Sequence, residues 1–375
     1  MVLTSKEVDE LLKQIKLIVA LRLFPVNYME EKEKFFHSST YNPVYQYKVW
    51  SDLNYDVCKT ISTIERVADV SPAISQFYLN IIANILVTYE LAQVIGDNEK
   101  FTALALQKYG KADEETISFV DTFLRAYRKE ELHTERSLDR ILYFDEIKDI
   151  FTGFLSDLGL TGWRVFEASS LHENDIRVGH TKIKMHKNIT RTTTLLKKSI
   201  VHEIGTHVLR RYNGEQNILP VIGKHNTADY LDTEEGLALY NEELFDVLSS
   251  TALLKRVLLA WGIHNGVNMT FRELYMFFIE KVDPETAFHF VYRIKRGLTD
   301  TAMPGIYAKD LAYIRGYVKV KALIANDPSA YTKLYAGKIT LKQIEWVEKG
   351  ILHMPVLPLN KDQFLELFEK YNLTA

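Results

Sequence analysis

The segment His202-Glu203-Ile204-Gly205-Thr206-His207 contains the residue types of a catalytic zinc site. In the familiar zinc motif, two histidines four residues apart share one helix face, and the glutamate after the first serves as general base. Here the spacing is 207 − 202 = 5 residues, which places the histidines roughly 140° apart around a regular α-helix. The pattern predicts either two unrelated histidines or a one-residue π-bulge that superimposes them. Gly205 would tolerate such a bulge.

Two acidic residues, Glu234 and Glu235, follow the second histidine by 27 and 28 positions. Thr233 is a suitable N-cap, so we expect this pair to open another helix. Two histidines and one glutamate form a common ligand set for catalytic zinc, with the fourth position left for water. Spacing alone makes Glu234 and Glu235 equally eligible as the third ligand. The other interpretation is that both are acids favoured by a helix N-terminus.

The composition is that of an ordinary globular protein. The 375 residues include 46 Lys and Arg against 49 Asp and Glu, a net charge of −3, with 47% hydrophobic and 25% charged residues. These values exclude a disordered or fibrous chain, and the near-balanced charge predicts no nucleic acid and no anionic membrane as partners. The single cysteine, Cys58, cannot form an intrachain disulfide. We therefore expect a cytoplasmic protein.

Hydrophobic periodicity predicts a mainly α, α+β fold. The predicted helices span 5–22, 28–36, 50–68, 73–97, 98–108, 113–130, 147–158 and 191–212, and most of 234–375 is helical. Segments 163–167, 175–178 and 181–186 alternate polar and apolar residues, which predicts a small antiparallel sheet just before the helix that carries His202. Near residue 140 the pattern changes from continuous helical periodicity to shorter segments that include alternating polar and apolar residues. This change predicts an N-terminal helical region, 1–140, packed on a core, 141–375. The apolar stretch 79–95 contains Glu90 and predicts a buried helix rather than a membrane span.

The two motifs in this order resemble those of the tyrosine carboxypeptidase family, which includes microtubule-associated tyrosine carboxypeptidase and bacterial proteins named for a Gln-Glu-Gly-Leu-Ala motif. The second motif here reads Glu234-Glu235-Gly236-Leu237-Ala238. The resemblance extends over nearly the whole chain. Its further segments are Phe24-Pro25-Val26-Asn27, Tyr41-Asn42-Pro43, Tyr109-Gly110, Tyr292-Arg293, Arg296-Gly297, Lys309-Asp310 and Tyr313. The resemblance implies a gluzincin-like metallopeptidase core that binds one Zn²⁺ per chain. It implies His202, His207 and Glu235 as ligands and Glu203 as general base.

The resemblance also implies a carboxypeptidase that removes a C-terminal aromatic residue, Tyr or Phe, from a peptide or protein. Such an enzyme needs a cation for the terminal carboxylate, and Arg293, Arg296 and Lys309 are candidates, with Tyr313 as a possible pocket residue. Strand 181–186 could align the substrate if it lies at the edge of the sheet. The net charge of −3 predicts a substrate other than the acidic microtubule.

Two alternatives to a carboxypeptidase stay open at this point. One is a zinc endopeptidase. The other is a non-catalytic or regulatory helical interaction protein that retains a metal site. The residues do not identify the oligomeric state.

Overall fold

A computed structural model describes residues 1–15, 23–48, 55–127, 139–168, 176–224 and 229–374. Its α-helices are Ser5–Lys13, Tyr28–Phe36, Tyr55–Ile61, Pro72–Gln93, Asn98–Tyr109, Glu114–Ala126, Phe144–Asp157, Thr193–His202, Leu209–Glu215, Tyr230–Leu244, Ser250–Asn265, Phe271–Phe278, Pro284–Lys295, Leu311–Asn326, Ala330–Lys333, Ile344–Glu348 and Lys361–Lys370. The strands are β1 (Val2–Leu3), β2 (Arg66–Val67), β3 (Ile141–Tyr143), β4 (Arg164–Glu167), β5 (Ile176–Gly179), β6 (Lys182–Met185) and β7 (Thr190–Thr192). The prediction of a mainly helical fold with small sheets is confirmed. Within these ranges, no helix combines the length and the apolar composition that crossing a membrane requires.

The chain divides into two compact units, and neither is continuous in sequence. The first unit comprises Met1–Lys129, His225–Asp229 and Leu254–Arg315, and the second comprises Glu130–Lys224, Tyr230–Leu253 and Gly316–Ala375. The first crossover, after Lys129, lies near the predicted boundary at residue 140. Residues 254–315 belong to the first unit because of long-range contacts, which local hydrophobic periodicity does not predict. The domain division 1–140 and 141–375 stays a prediction.

Most predicted helices occur with ends shifted by a few residues, and one prediction is wrong over part of its length. The helix predicted at 50–68 ends at Ile61, and β2 follows it and pairs in parallel with β1. Four residues separate Ile61 from Arg66. The apolar residues continue at helical spacing across this break, so the periodicity did not indicate where the helix ends. Positions 16–22, 50–54 and 128–130 of the predicted helices lie outside the described residues.

The sheet before the histidines is mixed, so the prediction of an antiparallel sheet is wrong in part. Its strand order is β4-β6-β5, with β5 antiparallel and β4 parallel to β6. Strand β6, the predicted 181–186 segment, is therefore central and cannot be the edge that aligns a substrate. Sequence order places β6 last of the three, but strand order in a sheet follows from long-range pairing. A separate two-stranded ribbon, β3 with β7, precedes the helix that begins at Thr193.

One face of the mixed sheet forms part of the second unit's core. Val165, Ile183 and Met185 are buried, whereas Lys182 and Lys184 on the alternate positions are exposed. The alternation follows from the two-residue period of a strand. Strand β5 packs against the chain between His202 and His207, so the sheet lies beside that segment.

In the first unit, the buried side chain of Lys295 binds three loop carbonyls. Its Nζ donates to the carbonyl oxygens of Gly266 at 3.3 Å, of Gly305 at 2.8 Å and of Met269. Burial lowers the pKa of Lys295 to about 8, although Glu273 opposes that shift. Lys295 therefore stabilises the segment before the Phe271–Phe278 helix and the loop before Ile306.

We expect Lys295→Met to lower the free energy of unfolding by about 1–3 kcal/mol at pH 7, because three buried carbonyls lose their donor. The folded pKa lies below the usual value of 10.5, so unfolding takes up a proton in that window. The contribution of Lys295 to stability therefore rises between pH 8 and 10.5, and the gap between wild type and variant should widen there. Urea unfolding at several pH values measures the gap. Lys100→Met, which removes an ammonium on a side chain that is 72% exposed, is the control. A gap that narrows with pH would contradict the prediction.

Candidate metal centre

The helix that carries both histidines changes its geometry where the spacing predicts a change. It is α-helical over Thr193–His202, π-helical over Glu203–Val208 and α-helical again over Leu209–Glu215; we call the whole segment the histidine helix. In the π-turn, the Leu209 amide donates to the carbonyl of Ile204, five residues earlier. The predicted π-turn is confirmed. The extra residue that it accommodates brings the two imidazoles to one face.

The π-turn is stabilised by two side chains from outside the histidine helix. The Tyr335 hydroxyl donates to the carbonyl oxygen of Gly205 at 2.9 Å, and Asn241 Nδ2 donates to Thr206 Oγ1 at 2.8 Å. A π-turn interrupts the regular ladder of backbone hydrogen bonds, and these donors satisfy groups in the interrupted stretch. The distortion is thus held by specific contacts.

Three potential metal ligands converge at the π-turn. The ring centroids of His202 and His207 are 4.8 Å apart with an interplanar angle of 83°. Glu235 approaches from the helix Tyr230–Leu244, which we call the glutamate helix, and its Oε2 lies 3.7 Å from His202 Nε2. One ligand atom from each of the three residues lies within 4.8 Å of the others. This set could hold one metal ion.

A close backbone approach fixes the position of the glutamate helix. A Cβ atom on Gly236 would lie 2.1 Å from the carbonyl carbon of Gly316, and one on Gly316 would lie 1.8 Å from the Asp232 carbonyl oxygen. Both distances are impossible for real side chains, so only glycine fits at either position. Because Gly236 directly follows Glu235, this contact also sets how far Glu235 extends toward the histidines.

The two glutamates that spacing leaves equivalent have different surroundings. Glu234 Oε1 accepts a hydrogen bond from His207 Nδ1 at 2.8 Å and lies 3.3 Å from Lys338 Nζ, while its Oε2 accepts one from Arg210. Burial alone would raise the pKa of Glu234, but Lys338 and Arg210 hold it well below its usual range. Glu235 Oε2 is buried and has no hydrogen-bond partner among the residues that the structure describes. A buried carboxylate oxygen without a donor is costly unless a cation binds it, which favours Glu235 over Glu234 as the ligand.

Each histidine has a carboxylate at its Nδ1 atom. Glu242 Oε1 lies 2.8 Å from His202 Nδ1, in the same way that Glu234 lies beside His207, and Lys198 Nζ lies 3.2 Å from Glu242 Oε2. A ring N–H that donates from Nδ1 leaves Nε2 as the free lone pair. Carboxylates in this position fix the tautomer and the ring orientation of metal-binding histidines.

The charge balance of the cluster also fits a cation. Its carboxylates are Glu203, Glu234, Glu235 and Glu242, whereas its lysine and arginine partners are Lys198, Arg210 and Lys338. Burial lowers the pKa of His202, but Glu242, Glu203 and Glu235 more than offset this and raise it to about 9. Burial raises the pKa of Glu203, against the opposing effect of both histidines. With neutral histidines, the four carboxylates exceed the three lysine and arginine side chains by one negative charge, which favours a cation at the three ligand atoms.

The predicted substrate residues lie in the first unit, where Arg293 and Arg296 lie beside Asp310. Arg293 donates to Asp310 from Nε at 2.9 Å and from Nη2 at 2.6 Å, and Arg296 Nη2 lies 3.6 Å from the same carboxylate. Tyr313 stacks under Arg256, with 3.6 Å from Cζ to the ring centroid. Lys309 is half-buried beside Asp310 in the chain. Burial lowers the pKa of Lys108 to about 8, and the charge of Lys309 adds to that shift.

Sequence reasoning missed several residues of the metal centre. Glu242 had a readable signal, because 242 − 235 = 7 positions place it two helical turns beyond Glu235 on the same face. Lys338 and Tyr335 had none, since they approach from segments distant in sequence. Arg210 lies on the histidine helix but belongs to no metal-binding pattern.

Comparison with known proteins gives two kinds of match. A sequence model of the family described as microtubule-associated tyrosine carboxypeptidase matches residues 33–369. The chain is 27% identical over 370 residues to microtubule-associated tyrosine carboxypeptidase 1 of Mus musculus, covering 95% of this chain and 66% of that protein. It is 31% identical over 179 residues to the putative tyrosine carboxypeptidase MATCAP2 of Homo sapiens, covering 45% of this chain and 34% of that protein. The chain thus spans just under two thirds of the length of the mouse relative.

Proposed function

Because the chain belongs to the microtubule-associated tyrosine carboxypeptidase family, we propose that it is a zinc-dependent carboxypeptidase. Its substrate is a peptide or protein with a C-terminal aromatic residue, Tyr or Phe. The mouse and human relatives are named as tyrosine carboxypeptidases, which supports this choice of reaction. The net charge of −3 favours a substrate less acidic than a microtubule surface.

The observation that carries the proposal is the convergence of His202, His207 and Glu235 at the π-turn. The five-residue spacing becomes a metal-binding arrangement only through this turn. Within the described part of the chain, the buried Oε2 of Glu235 has no hydrogen-bond donor. This oxygen and the carboxylates at both Nδ1 atoms support a metal ion on the Nε2 side. In this assignment the three residues hold one Zn²⁺, as in a gluzincin-like core.

When bound, zinc would supply Lewis acidity, which makes water more acidic and a scissile carbonyl more electrophilic. Glu203 is the general base. Its carboxylate takes a proton from the attacking water and returns it to the leaving amine of the terminal residue. Burial raises the pKa of Glu203, which strengthens it as a proton acceptor. Glu234 and Glu242 hold the imidazoles of His207 and His202 in the orientation that this arrangement requires.

Strand β5 replaces β6 as the candidate for aligning the peptide. Among the described strands it forms an edge of the mixed sheet, and it packs against the π-turn. An extended peptide could add to this edge through main-chain hydrogen bonds.

The proposal needs a cation for the terminal carboxylate. Arg293, Arg296 and Lys309 stay the candidates, with Tyr313 as a pocket residue. The bidentate pair with Asp310 occupies two donors of Arg293.

Matched peptides that differ only at the C-terminus test the proposal. We expect release of a terminal Tyr or Phe from free-acid peptides by protein that contains one zinc per chain. C-terminal amidation should lower kcat/KM by roughly tens to thousands of fold, because it removes one partner of a charge-assisted pair. Replacing the terminal aromatic residue by Gly should also lower kcat/KM, because an apolar pocket stays unfilled. Mass spectrometry of products and elemental analysis give the result, and Glu203→Gln protein controls for contaminating peptidases.

Other outcomes assign a different function. Cuts within the peptide, or equal cleavage of acid and amide, would reject the carboxypeptidase and indicate a zinc endopeptidase. Stoichiometric zinc without hydrolysis of any peptide in the series would indicate an interaction protein that retains a metal site.

A further inference from the structure

The π-turn takes away the donor that a regular α-helix would give to the carbonyl of Gly205. In an α-helix, the Leu209 amide donates to the carbonyl four residues earlier, which is Gly205, but here it donates to Ile204. The Tyr335 hydroxyl donates to the Gly205 carbonyl oxygen instead, at 2.9 Å. In a regular helix this buried hydroxyl would lose its acceptor to Leu209, and a buried polar group without a partner costs free energy. Tyr335 therefore stabilises the π-turn relative to the α-helical alternative.

The hydrogen bonds around Tyr335 have a fixed direction. Because a carbonyl oxygen only accepts, Tyr335 donates its single hydroxyl hydrogen to Gly205 and accepts from Asn241, whose Nδ2 lies 2.8 Å away. Asn241 Nδ2 also donates to Thr206 Oγ1 at 2.8 Å, and its Oδ1 accepts from the Tyr331 hydroxyl at 2.9 Å. The side chains of Asn241, Tyr335 and Thr206 are fully buried. We call these bonds from Tyr331 through Asn241 to the π-turn the asparagine clamp.

The asparagine clamp joins the two helices that carry the proposed metal ligands. Asn241 lies on the glutamate helix with Glu235, whereas Thr206 lies in the π-turn between the two histidines. The hydrogen bonds of the clamp use neither imidazole and neither oxygen of Glu235. The clamp therefore sets the position of one ligand-bearing helix relative to the other while the ligand atoms stay available.

We propose that Asn241 and Tyr335 are positioning residues of the metal centre, which hold the π-turn in its ligand-binding form before any metal binds. A site that is ordered in advance binds more tightly, because binding does not have to supply the free energy of distorting a helix. The inference rests on the proposed function for the identity of the metal, zinc, and for its three ligands.

Zinc affinity of the full chain, measured by competition with a chelator, tests the role of the clamp. We expect Tyr335→Phe and Asn241→Leu to bind zinc about 10- to 100-fold more weakly than wild type, at a temperature at which all proteins are folded. Tyr371→Phe is the matched control, because it removes a hydroxyl that donates to Asp157 elsewhere in the second unit. Its zinc affinity should equal that of wild type.

The visible spectrum of protein loaded with Co²⁺ separates positioning from general stability, because it reports the coordination geometry of the metal. We expect the spectrum of Tyr335→Phe to differ from that of wild type and the spectrum of Tyr371→Phe to coincide with it. A residue that contributes only to the stability of the fold would leave the spectrum of the folded protein unchanged.

Hydrogen exchange of the metal-free chain tests whether the protein or the metal forms the π-turn. We expect the Leu209 amide to exchange slowly in metal-free wild type and about tenfold faster in Tyr335→Phe. Rapid exchange in wild type that becomes slow only when zinc is added would overturn the inference, because the metal would then form the turn.

Wild-type zinc affinity, Co²⁺ spectrum and exchange rate in Tyr335→Phe would also overturn it, as would an equal loss of affinity in Tyr371→Phe. If Asn241→Leu does not fold, Tyr335→Phe still decides. Wild-type protein that binds no stoichiometric zinc would refute the proposed function alone, because exchange in the metal-free chain still tests the clamp.

Discussion

In the Glu203→Gln variant, we expect kcat to fall by roughly 10²- to 10⁴-fold while zinc content and thermal stability stay close to wild type. The amide keeps the size of the carboxylate and part of its hydrogen bonding, but it cannot accept the proton of the attacking water. Glu203 lies at the start of the π-turn between the two proposed ligands, and it is not one of the three residues whose ligand atoms converge. Its loss should therefore affect the reaction and not the metal.

Three measurements on the same preparation separate the possible roles of Glu203. These are peptide hydrolysis, elemental analysis and thermal unfolding. Unchanged kcat would remove Glu203 from the mechanism. A loss of zinc together with activity would make Glu203 a ligand. Glu215→Gln, a change on the same helix within an ion pair with Arg211, is the control for general effects of removing an acid there.

The sequence was sufficient to predict the π-turn but not the side chains that stabilise it. A spacing of five positions from His202 to His207 is incompatible with one face of an α-helix, so sharing a metal requires an inserted residue. This constraint is local, and Gly205 in the same segment is a residue that tolerates such a distortion. The donors that stabilise the turn, Tyr335 and Asn241, come from distant segments, and nothing in their local pattern indicates this contact.

Local sequence also could not predict the order of the strands or which of the two adjacent glutamates faces the histidines. Alternation predicted the strand at 181–186 but not its neighbours, so β6 proved central rather than an edge. Adjacent residues on a helix point about 100° apart, so either Glu234 or Glu235 could face the histidines. Only tertiary contacts distinguish the two, because Arg210 and Lys338 bind Glu234, whereas no described residue donates to Glu235 Oε2.

The roles of the adjacent glutamates lead to opposite expectations for two matched substitutions. Glu235→Gln should lose stoichiometric zinc and, with it, hydrolysis, because a neutral amide replaces the charged ligand of the set. Since no residue in the described ranges donates to the buried Oε2 of this carboxylate, its neutralisation should cost little stability in the metal-free protein.

Glu234→Gln should keep its zinc at saturation but bind it about 10- to 100-fold more weakly, because the carboxylate that orients His207 is lost. It should also lower the free energy of unfolding by about 3–5 kcal/mol, since the Arg210 guanidinium, which is 0% exposed, loses its buried counterion. Competition with a chelator measures the affinity, and urea unfolding with and without zinc measures the stability. If Glu234→Gln lost the metal while Glu235→Gln retained it, the two roles would have to be exchanged. If both retained it with wild-type affinity, neither acid would be a ligand, and the proposed ligand set of two histidines and one glutamate would be refuted.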